Sequence, residues 1–134
     1  MSEHPNLAVL ARLDLHDIAG TPGVFAEDVV FHFFNPRLAD LEGDYVGVDG
    51  VASLFGKLRE LTGGTFRVEP IATMAVGDEL VVAHTRNRMT FADQNVELDA
   101  LTVWRILGGR IAEVWDIPAV HTAVMEPAPP PAEA

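Results

Sequence analysis

From Thr65 to Pro118 the chain reads as four consecutive strands, about Thr65–Val76, Glu79–Phe91, Val96–Leu107 and Arg110–Pro118. Gly77-Asp78 and Gly108-Gly109 have the backbone freedom that tight hairpins require, and Ala92–Asn95 makes the remaining turn. A meander of this length needs a second layer over its apolar face. The first half of the chain can supply that layer. Leu7, Leu10, Ala11, Leu15 and Ile18 follow helical spacing, with Gly20 to end the helix. Thr21-Pro22 resembles an N-cap followed by proline at the first helical position, which suits a short second helix over Gly23–Ala26. Val29–Phe34 (VVFHFF) is β-branched and aromatic and reads as a buried strand, followed by a loop from Asn35 to Val48. Asp49 can cap a further helix whose apolar face is Val51, Leu54, Phe55, Leu58 and Leu61, stopped by Gly63-Gly64. The expected fold is α+β: N-terminal helices packed on one face of a curved antiparallel sheet.

The 134 residues suit one domain, and a hydrophobic fraction of 49% argues against disorder. Residues 1–125 are expected to form that domain. Residues 126–134 (EPAPPPAEA) have little to bury and read as a disordered or polyproline-like tail. No cysteine is present, which excludes disulfides, thiolate metal sites and a cysteine nucleophile. The charge of −11 disfavours nucleic acid, whose phosphates need clustered Lys and Arg. Its densest patch, Asp40, Glu42, Asp44 and Asp49, lacks the spacing of a calcium loop and reads as a solvated loop. The five histidines show no metal-ligand spacing, so no metal and no cofactor are expected. No segment is apolar for the length of a membrane span, and MSEHPNLAV does not read as a signal peptide. A cytoplasmic location without membrane contact is the expectation.

Pairing Phe91 with Val96 puts Met89 opposite Leu98, Asn87 opposite Ala100, Thr85 opposite Thr102 and Ala83 opposite Trp104. That face is mostly apolar and should meet the helices. The other face pairs Arg88 with Asp99, Arg86 with Leu101 and His84 with Val103, and should face solvent or a second copy of the chain. Thr85, Asn87 and Thr102 interrupt the inner face. Buried polar groups need partners, either internal hydrogen bonds or a ligand in a cavity.

Three segments carry a family resemblance: AEDVVFHF, LEGDYVGVDGVASLFGKLRELTGGTF and LTVWRILGGRIAEVWDIP. In order and spacing they resemble the nuclear transport factor two-like (ketosteroid isomerase-like) superfamily, and within it the SnoaL-like polyketide cyclases. The resemblance runs from about Leu7 to Pro118. It implies a conical α+β barrel with a deep pocket between sheet and helices. Members include isomerases, cyclases, epoxide hydrolases and non-catalytic binding modules, so function must be argued from the site.

His32 reads either as a core histidine satisfied by one hydrogen bond or as a pocket acid or base. Asp116 reads either as a surface carboxylate pairing with Arg105 or Arg110, or as the last-strand acid/base that the resemblance implies. Hydropathy leaves open which face of that strand is inner. Tyr45, Thr85, Asn87, Met89, Thr102 and Trp104 are the candidate substrate contacts. Trp104 and Trp115 read as core anchors. Phe31, Phe33, Phe34, Met74, Met89 and Phe91 offer apolar surface to a hydrophobic ligand or to the core.

Two departures from known members limit the chemistry. Thr102 stands near the protonated acid of the ketosteroid isomerases, and Asn35 near their carboxylate base, which disfavours a steroid isomerase mechanism. The Asp–Arg–Asp set of the limonene-type epoxide hydrolases is not evident. Val120-His121 stands where many relatives carry an acid. His121 covers the pocket mouth or begins the tail. The expected function is a cofactor-independent cyclase or isomerase working by acid/base proton transfer on a small hydrophobic carbonyl compound, within a homodimer. The alternative is a non-catalytic ligand-binding or dimerisation module.

Overall fold

The computed structural model describes residues 4–120 and 123–127. Helix α1 spans Pro5–Ala11 and helix α2 spans Gly47–Leu61. The strands are β1 (Phe25–Phe33), β2 (Gly43–Val46), β3 (Arg67–Val76), β4 (Leu80–Phe91), β5 (Gln94–Leu107), β6 (Arg110–Pro118) and β7 (Val124–Pro127). The fold is α+β, as expected, with one seven-stranded sheet in the order β2-β1-β6-β5-β4-β3 and β7 paired to β5. The meander is antiparallel throughout, but β1 joins β6 in parallel, so the sheet is mixed. It does not close on itself, because β2 and β3 are its edges. Irregularities between Pro70 and Ala72 and between Arg105 and Ile106 interrupt the ladders, the kind of feature that bends a sheet.

The first helix is shorter than the apolar spacing predicts. It ends at Ala11, and Ile18–Gly20 forms only a 3-10 turn. The Asp14 carboxylate accepts from the His16 backbone N–H (2.9 Å) and Asp17 accepts from that of Gly20 (3.0 Å). These local bonds give the backbone an alternative to the helical ladder. No helix forms over Gly23–Ala26. Gly23 takes a positive φ of 81°, and β1 already begins at Phe25. The loop after β1 contains a 3-10 segment, Pro36–Leu41, and the short strand β2. Helix α2 starts at Gly47, which leaves Asp49 in the first turn rather than at the cap. Its charge there still opposes the helix dipole favourably.

The apolar face of α2 lies on the inner face of the sheet. Val51, Leu54, Val29, Val81, Ile111 and Val114 are fully enclosed there. Trp104 is buried in the same core, as expected. Trp115 is not: it lies half-buried on the outer face, stacked on the His32 ring with centroids 5.5 Å apart.

The β4–β5 hairpin is two residues tighter than expected. Phe91 pairs with Gln94 across Ala92-Asp93, whose φ angles are 51° and 62°. Both central residues are left-handed, as a two-residue type I′ turn requires. Met89 therefore meets Val96, Asn87 meets Leu98, Thr85 meets Ala100 and Ala83 meets Thr102. A shift of two preserves parity, so every side chain keeps its predicted face while every partner changes. The outer pairs become Arg86–Asp99 and Arg88–Glu97.

Strand β7 continues beside β5 beyond the end of β6, so Glu126 and Pro127 are paired to Asn95 and Gln94. The expected disordered tail thus includes two residues that lie in a strand. Its remainder, and His121, lie outside the described residues.

Candidate functional site

A cavity of about 350 Å³ opens between the inner sheet face and the C-terminal half of α2. Phe55, Leu58 and Leu61 line it from α2, Asn87, Met89 and Phe91 from β4, and Val96 and Leu98 from β5. Asn35, Arg37 and Leu38 close one side, and Val120, Ala123 and Met125 the other. Phe33, Asp116 and Pro118 line it from β1 and β6.

Asp116 reaches this wall because β6 carries an extra residue. Arg105 pairs with Glu113, but the next residue, Ile106, pairs with Ile111, so Ala112 is bulged out. Ile111 then shares the inner face with Val114 and Asp116, and Glu113, Trp115 and Ile117 point outward. Strict alternation had put Ile111 with Trp115, which is why hydropathy could not choose a face. In register, Asp116 sits beside Phe33 on β1 and Thr102 on β5. Among the described residues no side chain donates a hydrogen bond to its carboxyl. Burial in this apolar wall, with no compensating charge, pushes its pKa up to about 7. The group is therefore poised to hold or release a proton near neutrality.

The other polar groups of the cavity are few. The Thr85 hydroxyl donates to the Asn87 side-chain oxygen (3.0 Å), which leaves the Asn87 amide N–H groups to spare. The Thr62 hydroxyl is spent on the Leu58 carbonyl (2.8 Å), and the Asn35 side chain accepts from the Arg37 backbone N–H (3.0 Å). One Arg37 Nη1 N–H points at the Met125 thioether sulfur (3.2 Å) across the mouth.

The expected site residues divide into four groups, of which His32 is the last. Asp116, Asn87 and Met89 line the cavity together. Thr85, Thr102 and Trp104 are on the same inner face but line a separate hollow of about 350 Å³ beneath Leu10–His16 and the start of β3. There the Trp104 indole N–H donates to the Thr102 hydroxyl (2.7 Å), an internal satisfaction of the kind weighed above. Tyr45 lies on β2, where its hydroxyl donates to the Leu41 carbonyl (2.6 Å), and it lines neither cavity.

His32 is separated from Asp116 by the sheet itself. Phe31 and Phe33 are buried on the inner face, so His32 between them points outward. It is neither a core histidine nor a cavity group. Its Nε2 lies 2.7 Å from Glu113 and its Nδ1 2.7 Å from Asp44. Two carboxylate acceptors want both ring nitrogens protonated. The Glu113 hydrogen bond, outweighing desolvation, and then Asp44 raise the His32 pKa above its ordinary value. Of the apolar candidates, Phe33, Met89 and Phe91 line the cavity, Phe31 fills the core, and Phe34 and Met74 are exposed. Arg37, Phe66 and Met125, which the sequence did not single out, also line it. Asn35-Pro36-Arg37 carried a readable turn signal, an Asx cap ahead of proline. Met125 carried none.

The chain is thus an α+β protein with an apolar cavity between a helix and a mixed sheet, and one acid, unpaired among the described residues, in its wall. Residues 7–114 match the SnoaL-like domain family, and the chain belongs to that family. No curated protein sequence gives a significant match. Among solved structures, Bal32a from a soil-derived mobile gene cassette superposes with a TM-score of 0.74 at 20% identity, over 86% of this chain and 89% of that one. A putative SnoaL-like polyketide cyclase from Jannaschia sp. CCS1 gives 0.69 at 14% identity, over 90% and 91%. An epoxide hydrolase of the LEH-like type from M. tuberculosis gives 0.64 at 17%, over 87% and 84%. These likenesses establish a shared fold. No described helix is long and apolar enough to cross a membrane.

Proposed function

We propose that the protein binds a small hydrophobic carbonyl compound in the Asp116 cavity and moves a proton on it without a cofactor, as in a cyclisation or isomerisation. The observation that carries this reading is Asp116 itself, a carboxyl in an apolar wall with no partner among the described residues. An acid left unpaired in an apolar wall destabilises a fold, and active sites are where such groups concentrate. Asp116 would take the proton next to the carbonyl and return it. Asn87 would offer amide N–H groups to the substrate, and Met89 would pack against its apolar body. Support comes also from the family, which includes the putative polyketide cyclase above, and from TerC, a similar structure co-crystallised with polyporic acid (TM-score 0.72, 19% identity). His32, on the opposite face, takes no part in this proton transfer.

The test is proton exchange on a panel of aromatic ketones in deuterated buffer, followed by NMR. Exchange should rise with pH through an inflection near 7, the value of Asp116. It should fall by at least about a hundredfold in Asp116→Asn, the usual contribution of a positioned acid or base. His32→Ala should leave the rate unchanged. Equal rates in wild type and Asp116→Asn would reject the assignment. The second reading is a non-catalytic binding module. It is favoured by the lack of a second carboxyl, or of any imidazole, among the described cavity residues. Binding of the ketones with no exchange above buffer would select it.

We propose further that the outer sheet face pairs with a second copy. Exposed Leu101 and Ile117 are register partners there, flanked by the Arg86–Asp99 and Arg88–Glu97 ion pairs.

A further inference from the structure

The chain holds 20 acidic residues against 9 Lys and Arg, so a cation near an acid should be easy to pair. The arginines of β4 and β5 are indeed paired: Arg86 with Asp99, Arg88 with Glu97 and Glu69, and Arg105 with Glu79. Arg37 differs. It lines this cavity, and like Arg12, Lys57, Arg59, Arg67 and Arg110 it has no carboxylate partner among the described residues. One of its five N–H donors meets the Met125 sulfur, a weak acceptor, and its side chain makes no other hydrogen bond among the described residues. Its position is held from behind: Asn35 caps its backbone N–H, and Pro36 fixes the turn that carries it.

The cavity therefore has two polar ends. Arg37 stands at the mouth, between the 3-10 segment and β7, and Asp116 in the wall formed by β1 and β6. An anion pushed toward Asp116 would be repelled once that group ionises, whereas an anion at the mouth meets an unspent guanidinium. The surface between the ends is mostly hydrocarbon and aromatic, with the Asn87 amide its main free polar group.

We propose that Arg37 is an anion anchor, and that the cavity's ligand class is an apolar ring compound carrying a planar oxyanion, a carboxylate or an ionised enol, at its mouth end. This rests on the cavity being the ligand site proposed above. A guanidinium fork binds such a group through two parallel N–H bonds. The body of the ligand lies against Phe55, Met89 and Phe91, and its uncharged carbonyl end reaches the Asp116 wall.

The experiment compares 2-naphthoate with methyl 2-naphthoate, which share an apolar body and differ in charge. Affinity is measured by calorimetry at pH 8 and low salt, and the site of binding by the methyl signals of Met89 and Met125. In wild type the acid should bind at least about tenfold more tightly than the ester, the effect of one charge-assisted hydrogen bond. Arg37→Gln should lose that preference while ester affinity is unchanged. Arg37→Lys should keep part of it, because the charge remains and the fork does not. Both ligands moving the two methyl signals with equal affinity, or Arg37→Gln retaining the preference, would overturn the anchor and leave the cavity reading standing. If neither ligand moves either signal, the cavity reading fails and the anchor with it.

Discussion

Asp116 and His32 titrate on opposite faces of one sheet, and both make the folded protein bind protons more tightly than the unfolded chain. Asp116 has an ordinary value of 3.8 and a folded value of about 7. The folded state therefore loses stability as pH rises from about 4 through 7. Asp116→Asn removes that loss. At pH 8 it should be more stable than wild type by on the order of 2–4 kcal/mol, and at pH 4 nearly equal. Urea denaturation at the two pH values checks this, and an equal midpoint at pH 8 would contradict it. For His32 the folded value lies above 6.5, so its contribution is complete below that pH and lost as pH rises through the folded value. The pair partners are partly exposed, which keeps the gain to about 1 kcal/mol. His32→Gln should cost that much at pH 6 and little at pH 9. A penalty that persists undiminished at pH 9 would assign it to lost stacking on Trp115 instead. The sequence could name both residues but not their sides. His32 sits in an unbroken apolar run, where periodicity is silent, and Asp116 follows a bulge that breaks it.

The elements that the sequence revealed are those with long, repeated patterns. The four meander strands and α2 each repeat their apolar spacing often enough to be read, and their edges fall within a few residues of those expected. β2 and β7 span four residues each, too few for a pattern, and α1 yields to two aspartate side chains that bond the backbone locally. The hairpin turn shows how a partner can be wrong while a face is right. The sequence sets a four-residue turn, Ala92–Asn95, where the strands adopt a two-residue one; Ala92, unlike Asp93, is a poor residue for the left-handed φ that this turn imposes. That strain is removable. Changing Ala92-Asp93 to Asn-Gly should raise stability by about 1 kcal/mol without altering ligand binding. A thermal midpoint equal to or below that of wild type would show that the turn is unstrained. Packing sets the larger scale. Leu54 is fully enclosed between α2 and the sheet, so Leu54→Ala should cost about 3 kcal/mol. A loss below about 1 kcal/mol in the same denaturation would mean that the helix is not anchored there.

For the whole molecule, the two faces of the sheet divide the work. The inner face holds the core and the cavity. The outer face carries ordered ion pairs from Glu69 across Arg88 to Glu97, with a second set at Arg86, His84 and Asp99. Exposed pairs of this kind add little stability singly, so the arrangement is better suited to fixing the register of an interface than to holding the monomer together. Exposed Leu101 and Ile117 lie side by side within it, 42% and 49% accessible, and in the proposed dimer they would form the apolar centre inside a charged rim. Light scattering at micromolar concentration should report a dimer. The double variant Leu101→Asp/Ile117→Asp should be monomeric, because it buries two new charges beside Asp99 and repels its own copy. Since these side chains point away from the cavity, the monomeric variant should still bind an aromatic ketone with wild-type affinity. A wild-type protein that scatters as a monomer removes the interface. A monomeric variant that has lost its ligand would instead mean that pairing across the outer face shapes the cavity on the inner one.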